Sequence, residues 1–478
     1  MIEKELKRNL GLIGLISTGA SSMIGASIYI VPFEIQAAVP GLGNNILYAF
    51  LLASLPALLS AFAYAILSSS MPVTGGSYIY VSRALHPFLG FIASFSQWFG
   101  LSIVMGVIAY MVGPFISDVI LNMGFEHLAL LLKTGAARLI LSLLLLWIFV
   151  FINIIGVKSY QFIVTLLVTI TFILGFIVIY FALSNTQESY TKEASLKVGN
   201  DIPYLESTFS WNKIITASSV LFASFIGFDS IAQAGGEAKN PSKNLPIAII
   251  FTFIIVSLFY LIFTYTIYRI VPWNFIQSEA ITKDISAVSL LGYVISKQSA
   301  VIILFGTCIT LLKDLPSMIL SVSRFVYAWS KDNLFPRLFS NIHPIYNTPH
   351  FAILFSGLIA SAGIFGCHFA SDIFLGINIM VISMLFNFIL ICSAVIVFSR
   401  SSVASEDFKP ILINRNTQKL IAYAGIASLS FFLFIITRND LQSSQKEFYF
   451  HPTFVWLIVL TLAATIYRSY QKKSATTL

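Results

Sequence analysis

Charge is what this sequence has least of. Asp, Glu, Lys and Arg make up 10% of its 478 residues, where a soluble domain carries about a quarter. A soluble fold of this length would lack the polar surface to cover its core, so the surrounding solvent is read as lipid. Cysteine is scarcer still. Cys308, Cys367 and Cys392 are odd in number and all lie inside apolar stretches, which argues against a disulfide framework. The six histidines, at positions 86, 127, 343, 350, 368 and 451, are scattered and show no metal-ligand spacing, so neither a metal nor a cofactor is expected. The polar stretch around Gly75-Gly76 lacks the Gly-x-x-x-x-Gly-Lys pattern of a phosphate loop. No nucleophile–base set is legible, which argues against an enzyme. The formal charge of +8 comes from basic residues placed singly between apolar runs. They form no stripe, and nucleic acid is excluded as a partner.

What the sequence has instead is hydrophobic residues, 57% of the total. A bilayer core needs roughly 20 apolar residues per helix. By that ruler twelve spans are expected, at about 11–31, 44–69, 87–121, 138–156, 159–183, 213–236, 246–270, 297–328, 351–369, 371–398, 418–437 and 452–469. The chain therefore reads as an all-α integral membrane protein with twelve transmembrane helices. The first stretch is too long for a signal-peptide core and is read as a retained helix. The third and eighth spans are long enough to require tilt or extension beyond the bilayer. Connections on the side of the two termini carry more Lys and Arg than those opposite, which places both termini in the cytoplasm, with the protein in the cell membrane. The polar connection from Ser184 to Asn212 is read as a loop. Nothing in the sequence separates a monomer from a homodimer.

Two segments look alike. The first span contains Met23-Ile24-Gly25-Ala26-Ser27-Ile28-Tyr29, and the sixth contains Phe225-Ile226-Gly227-Phe228-Asp229-Ser230-Ile231. They lie five spans apart, and an odd offset inverts the second copy across the membrane. Interrupted helices at matching positions of inverted repeats are the best sequence pointer to a transporter's binding site. A break frees N–H and C=O groups that hydrocarbon cannot satisfy but a zwitterionic solute can. The small residues of the first segment serve close helix packing equally well when read alone.

At these residues the chain resembles the amino acid–polyamine–organocation (APC) transporter superfamily. Four blocks carry the resemblance: Ile24-Gly25-Ala26-Ser27-Ile28-Tyr29; Pro72-Val73-Thr74-Gly75-Gly76-Ser77-Tyr78-Ile79-Tyr80 with Pro87 and Gly90; Ser224 to Asp229 continuing through Glu237 and Asn240-Pro241; and Ser323-Arg324-Phe325 with Asp332, Leu334-Phe335-Pro336 and Thr348-Pro349. The resemblance implies a LeuT-type fold: a 5+5 inverted repeat at about 11–183 and 213–398 within a core of residues 1–398, then 399–478 with the last two helices and a cytoplasmic tail. One departure is Ser27, where the family has a glycine; a side chain there hinders approach of a ligand to the backbone.

The resemblance also implies a site. The substrate carboxylate would meet the N–H groups of Gly25, Ala26 and Ser27. Its amine would meet carbonyls near Ser22 and Met23, and near Ala223, Ser224 and Ile226. Gln97 matches a substrate-facing position and serves equally as glue between helices. Ala223 stands where some relatives place a large aromatic gate, which implies a roomier pocket. Trp98 and Tyr110 read as packing residues. Asp229, where some relatives carry glutamate, reads as a gating or proton-sensing acid, or as a cap on the second half of its helix. Lys313 and Asp314 are intramembrane charges and hence functional candidates, although adjacent helical residues point about 100° apart and do not simply face each other. Many relatives carry a lysine on the fifth span whose ammonium replaces a sodium ion. None follows Lys158 here, and Lys313 could supply that cation from the eighth span, bind an acidic substrate group or form a structural pair. The function implied is secondary active transport of amino acids or related amines by alternating access, through proton-coupled symport or amino acid–amine exchange. The alternative is a transporter-like sensor that binds without translocating.

Overall fold

Hydrocarbon offers no partner to a backbone N–H or C=O, so a chain crossing it must satisfy those groups within each segment. The computed structural model of the protein does this with helices. It describes residues 6–202, 205–282, 285–370, 373–398, 414–443 and 450–476. Among the described residues there is no β-strand, only two isolated bridges. Eleven helices among the described residues are long and apolar enough to cross a membrane. Nine of the expected spans are continuous apart from their ends: Ile46–Ser70, Pro87–Asn122, Gly135–Ile155, Val157–Leu183, Pro241–Ile270, His350–Ala370, Ile373–Val397, Arg415–Leu441 and Pro452–Thr476. The first span is in three pieces, Leu12–Met23, Ala26–Tyr29 and Val31–Ala38. Each is too short to cross alone, which is why the long helices number eleven and not twelve. The expected boundary at residue 399 falls in 399–413, outside the described residues.

The third span runs for 36 residues, or about 54 Å of helix, against a hydrocarbon core of about 30 Å. Its glycines set its neighbours. A side chain at Gly106 would strike the backbone of the ninth span at Ala360, and one at Gly100 would lie 2.8 Å from Met380 Cα of the tenth. Small residues that bring backbones together are the means by which helices associate where no hydrophobic driving force exists.

The connection read as a loop differs in part. Residues Gln187–Val198 form a helix whose first turn is closed by a reciprocal Thr186–Ser189 capping box. It docks through Tyr190, whose hydroxyl donates to Leu290 O at 2.9 Å. A polar, mixed-charge composition removes a membrane span but not a helix, and the cap was legible at Thr186.

Around Leu10, three separate segments interlock by backbone. Leu10 N donates to Glu237 O at 2.8 Å and Lys239 N to Leu10 O at 2.8 Å. Gly75 N donates to Gln233 O at 3.2 Å. The strand-like pairs Leu10–Ala238 and Thr74–Ala234 mark the same junction.

Candidate functional site

The first span stops at Met23. Ile24 leaves the helical region (φ −85°, ψ 82°) while its N–H still reaches Ala20 O. Gly25 N turns to Met23 O at 3.1 Å, a helical turn restarts at Ala26–Tyr29, and Ile30 (φ −123°, ψ −59°) breaks it again before Pro32. The break is therefore centred on Ile24–Gly25, at the start of the Gly25-Ala26-Ser27 stretch expected to meet the substrate carboxylate. The side chains of Ala26 and Ser27 lie outside the described residues. Gly25 is required by a close approach: the carboxylate of Asp314 lies where its side chain would be.

The sixth span breaks in a different manner. Its first part, Trp211–Leu221, tightens into a 3-10 turn at Phe222–Phe225, Ile226 is extended (φ −76°, ψ 140°), and helix resumes only at Ser230–Gln233. Gly227 has φ +130°, and an added Cβ would lie 2.5 Å from the carbonyl carbon of Ser22. Only glycine takes that conformation without strain. The two breaks thus meet backbone to backbone, Gly227 on Ser22–Met23.

Breaking the first span frees carbonyls, and the eighth span supplies their partner. That span is itself divided at Lys313, into Lys297–Leu312 and Asp314–Lys331. The Lys313 ammonium, fully buried, donates to Ser21 O at 2.9 Å, to Ile24 O and to Asp314 Oδ1 at 2.8 Å. Ser21 Oγ donates back to Lys313 O, and Tyr260 OH donates to Met23 O at 2.5 Å. A cation at a helix C-terminus complements the partial negative charge of its last carbonyls. Lys313 and Asp314, expected not to face each other, are paired. The long lysine side chain folds back to its neighbour at the helix junction.

Asp229 is buried, and its Oδ2 accepts from Gln97 Nε2 at 2.6 Å. Its side chain makes no capping bond to Ser230–Gln233, so the capping reading does not hold in this geometry. The chain of bonds continues: Asn387 Nδ2 donates to Gln97 Oε1 at 2.9 Å and to Tyr64 OH at 2.8 Å. Tyr64 OH and Ser77 Oγ lie 2.6 Å apart, and Gln233 Nε2 donates to Ser77 Oγ at 2.7 Å. Gln97 is thus both a bridge between spans and the direct partner of Asp229. Asn387 and Tyr64 were not singled out from the sequence. For Asn387 the signal was one of two amides, with Asn378, in a largely apolar 25-residue helix. For Tyr64 no local signal exists.

A small cavity, about 10 Å³, lies at the meeting of the breaks, lined by Ser22, Leu101, Ile226, Gly227, Asp229, Ser230, Met318 and Ser321. That is room for about one water molecule. Ser22, Ile226 and Asp229 are therefore on its wall. Met23 and Ser224 are buried beside the breaks, and Ala223 is half-buried. Gly25 faces Asp314 instead. Trp98 packs in an aromatic cluster, stacked on Phe355 and edge-on to Trp329.

Eleven residues further along the eighth span, Arg324 makes a second buried ion pair. Its Nη2 and Nε donate to the two carboxylate oxygens of Glu237 at 2.6 and 3.1 Å, and Nη1 donates to Ser323 Oγ at 2.8 Å.

Residues 10–462 match the model of the amino acid permease family. Among curated relatives, the chain is 26% identical to a branched-chain amino acid permease of Bacillus subtilis (strain 168), over 75% of both chains. It is 28% identical to the methylthioribose transporter of the same organism, over 76% of both. To the vacuolar cationic amino acid transporter 4 of Arabidopsis thaliana it is 30% identical, over 34% of this chain and 27% of the relative.

Proposed function

The chain belongs to the amino acid permease family, and on that basis we propose that it is a secondary active transporter of amino acids or related amines, working by alternating access around the junction of the broken first and sixth spans. The observation that carries this is the contact of Gly227 with Ser22–Met23. Two interruptions that abut at one small cavity place freed backbone groups and the Asp229 carboxylate around one point. Inverted repeats at about 11–183 and 213–398, with the last two helices outside them, account for the matching breaks. Both termini lie in the cytoplasm, and the interlock of Leu10, Gly75 and Glu237 then closes the cytoplasmic end.

Lys313 replaces a coupling sodium. Its ammonium takes the Ser21 and Ile24 carbonyls and the Asp314 carboxylate, an all-oxygen set of the kind a hard cation prefers. Transport is therefore sodium-independent and driven by a proton gradient or by exchange. Reconstitution into liposomes tests this. Uptake should be equal in sodium and choline media at constant pH and should respond to an imposed pH gradient or an internal exchange substrate. Uptake that vanishes in choline would refute it. Binding without any uptake would leave a sensor.

A further inference from the structure

We infer that the cavity between the two breaks is a receptor for the ammonium of an amine with an apolar body, that Asp229 is its counter-charge, and that no substrate carboxylate is needed. This rests on the transporter reading above and narrows its substrate class.

Four observations converge. Asp229 Oδ1 and Ser22 Oγ are both buried without a hydrogen-bond partner, and both residues line the cavity. An open carboxylate oxygen beside a hydroxyl, in a space the size of a water molecule, accepts an N–H donor of that size.

The second is charge balance. Asp229 is the one ionisable residue among those lining the cavity. The charges at the first break, Lys313 and Asp314, are closed on each other at 2.8 Å. A zwitterion brings no net charge and leaves an ionised, buried Asp229 uncompensated. An alkylammonium neutralises it, and a buried charge is tolerated when paired.

The third is the backbone field. The segment Trp211–Phe225 ends at the gap with its carbonyls, the negative end of a helix, while carbonyls that end the first break are already taken by Lys313 and Tyr260. The segments whose N–H ends face it, Ala26–Tyr29 and Ser230–Gln233, have four residues each, too few to build an opposing dipole. The fourth is Gly25, the expected carboxylate contact, whose N–H is already turned to Met23 O at 3.1 Å and whose Cα has the Asp314 carboxylate against it. The remaining wall, Leu101, Ile226 and Met318, is apolar, and the unbranched Met318 repacks readily around a hydrocarbon body.

Three probes that share one branched chain separate the terms: leucine with both charged groups, isopentylamine with the ammonium alone, and 4-methylpentanoate with the carboxylate alone. Each is titrated against the purified protein in nanodiscs, with thermal stability as the readout, since a ligand selective for the folded state raises it. Isopentylamine should bind at least about tenfold more tightly than leucine, or about 1.4 kcal/mol, and 4-methylpentanoate should not bind. Asp229→Asn should lose about tenfold or more of the amine affinity. Asp229→Glu, which keeps the charge, should retain the preference and shows that the loss is not unfolding. Tighter binding of leucine, binding of 4-methylpentanoate, undiminished amine binding by Asp229→Asn, or no binding of isopentylamine at millimolar concentration would each overturn the inference. Uptake of labelled probe into liposomes separates it from the transporter reading. Amine bound but not carried defeats transport alone, while leucine carried with no amine binding defeats the amine receptor alone.

Discussion

The eighth span holds two buried ion pairs about 16 Å apart along one helix axis, and they are built differently. Glu237–Arg324 is bidentate and joins two distant parts of the chain. Every polar atom of the carboxylate is used, and the guanidinium cannot lose its proton. Lys313–Asp314 joins neighbours in sequence through one contact, and its ammonium spends its other bonds on the carbonyls of a broken helix. A lysine can surrender its proton when its surroundings change. The first pair is a fastener, closing the end where Leu10 and the 234–239 segment interlock. The second sits at the break itself.

That contrast can be broken most directly at Glu237. Glu237→Gln strands a buried guanidinium and should destabilise the protein by about 3–5 kcal/mol, read as a large fall in thermal midpoint and poor recovery after solubilisation. The double variant Glu237→Gln with Arg324→Met removes both charges and should recover much of the loss. A single variant as stable as the parent would show that the fastener carries no weight.

A smaller loss is expected at the junction of the breaks. Gly227→Ala places a side chain at φ +130° against Ser22, a strain of about 1–3 kcal/mol. It should reduce uptake more than it reduces folding, because it holds apart two backbones that must meet. Normal uptake with normal stability would remove this contact from the mechanism.

The smallest effect on stability belongs to the second pair. Asp314→Asn leaves an ammonium that keeps two carbonyl acceptors and can neutralise, so the loss should stay near about 1–2 kcal/mol, well below that of Glu237→Gln. Lys313→Met should reach the membrane yet lose pH-dependent accumulation by about tenfold or more. Unaltered uptake and pH dependence in Lys313→Met would make the two pairs alike, both structural.

The sequence by itself determined the solvent, the helical class and the placement of the spans. Those follow from composition and from runs of apolar residues, quantities that are local and additive along the chain. The breaks were legible too, because Gly25 and Gly227 stand in matching Ile-Gly contexts, although the finer centre at Ile24 depends on how Gly25 packs against Asp314. The helix at Gln187–Val198 was missed because hydropathy registers spans and not surface helices. Only the tertiary structure decided which polar groups meet. Ser21 and Lys313 are 292 positions apart, and Gln97 and Asn387 are 290 apart. Asn387 and Tyr64 gain their meaning from Asp229 and not from their own neighbours in sequence. The partnership of Lys313 with Asp314 was also decided there. Helical geometry alone separates adjacent residues, and the junction in the eighth span, fixed by the carbonyls of the broken first span, brings them together.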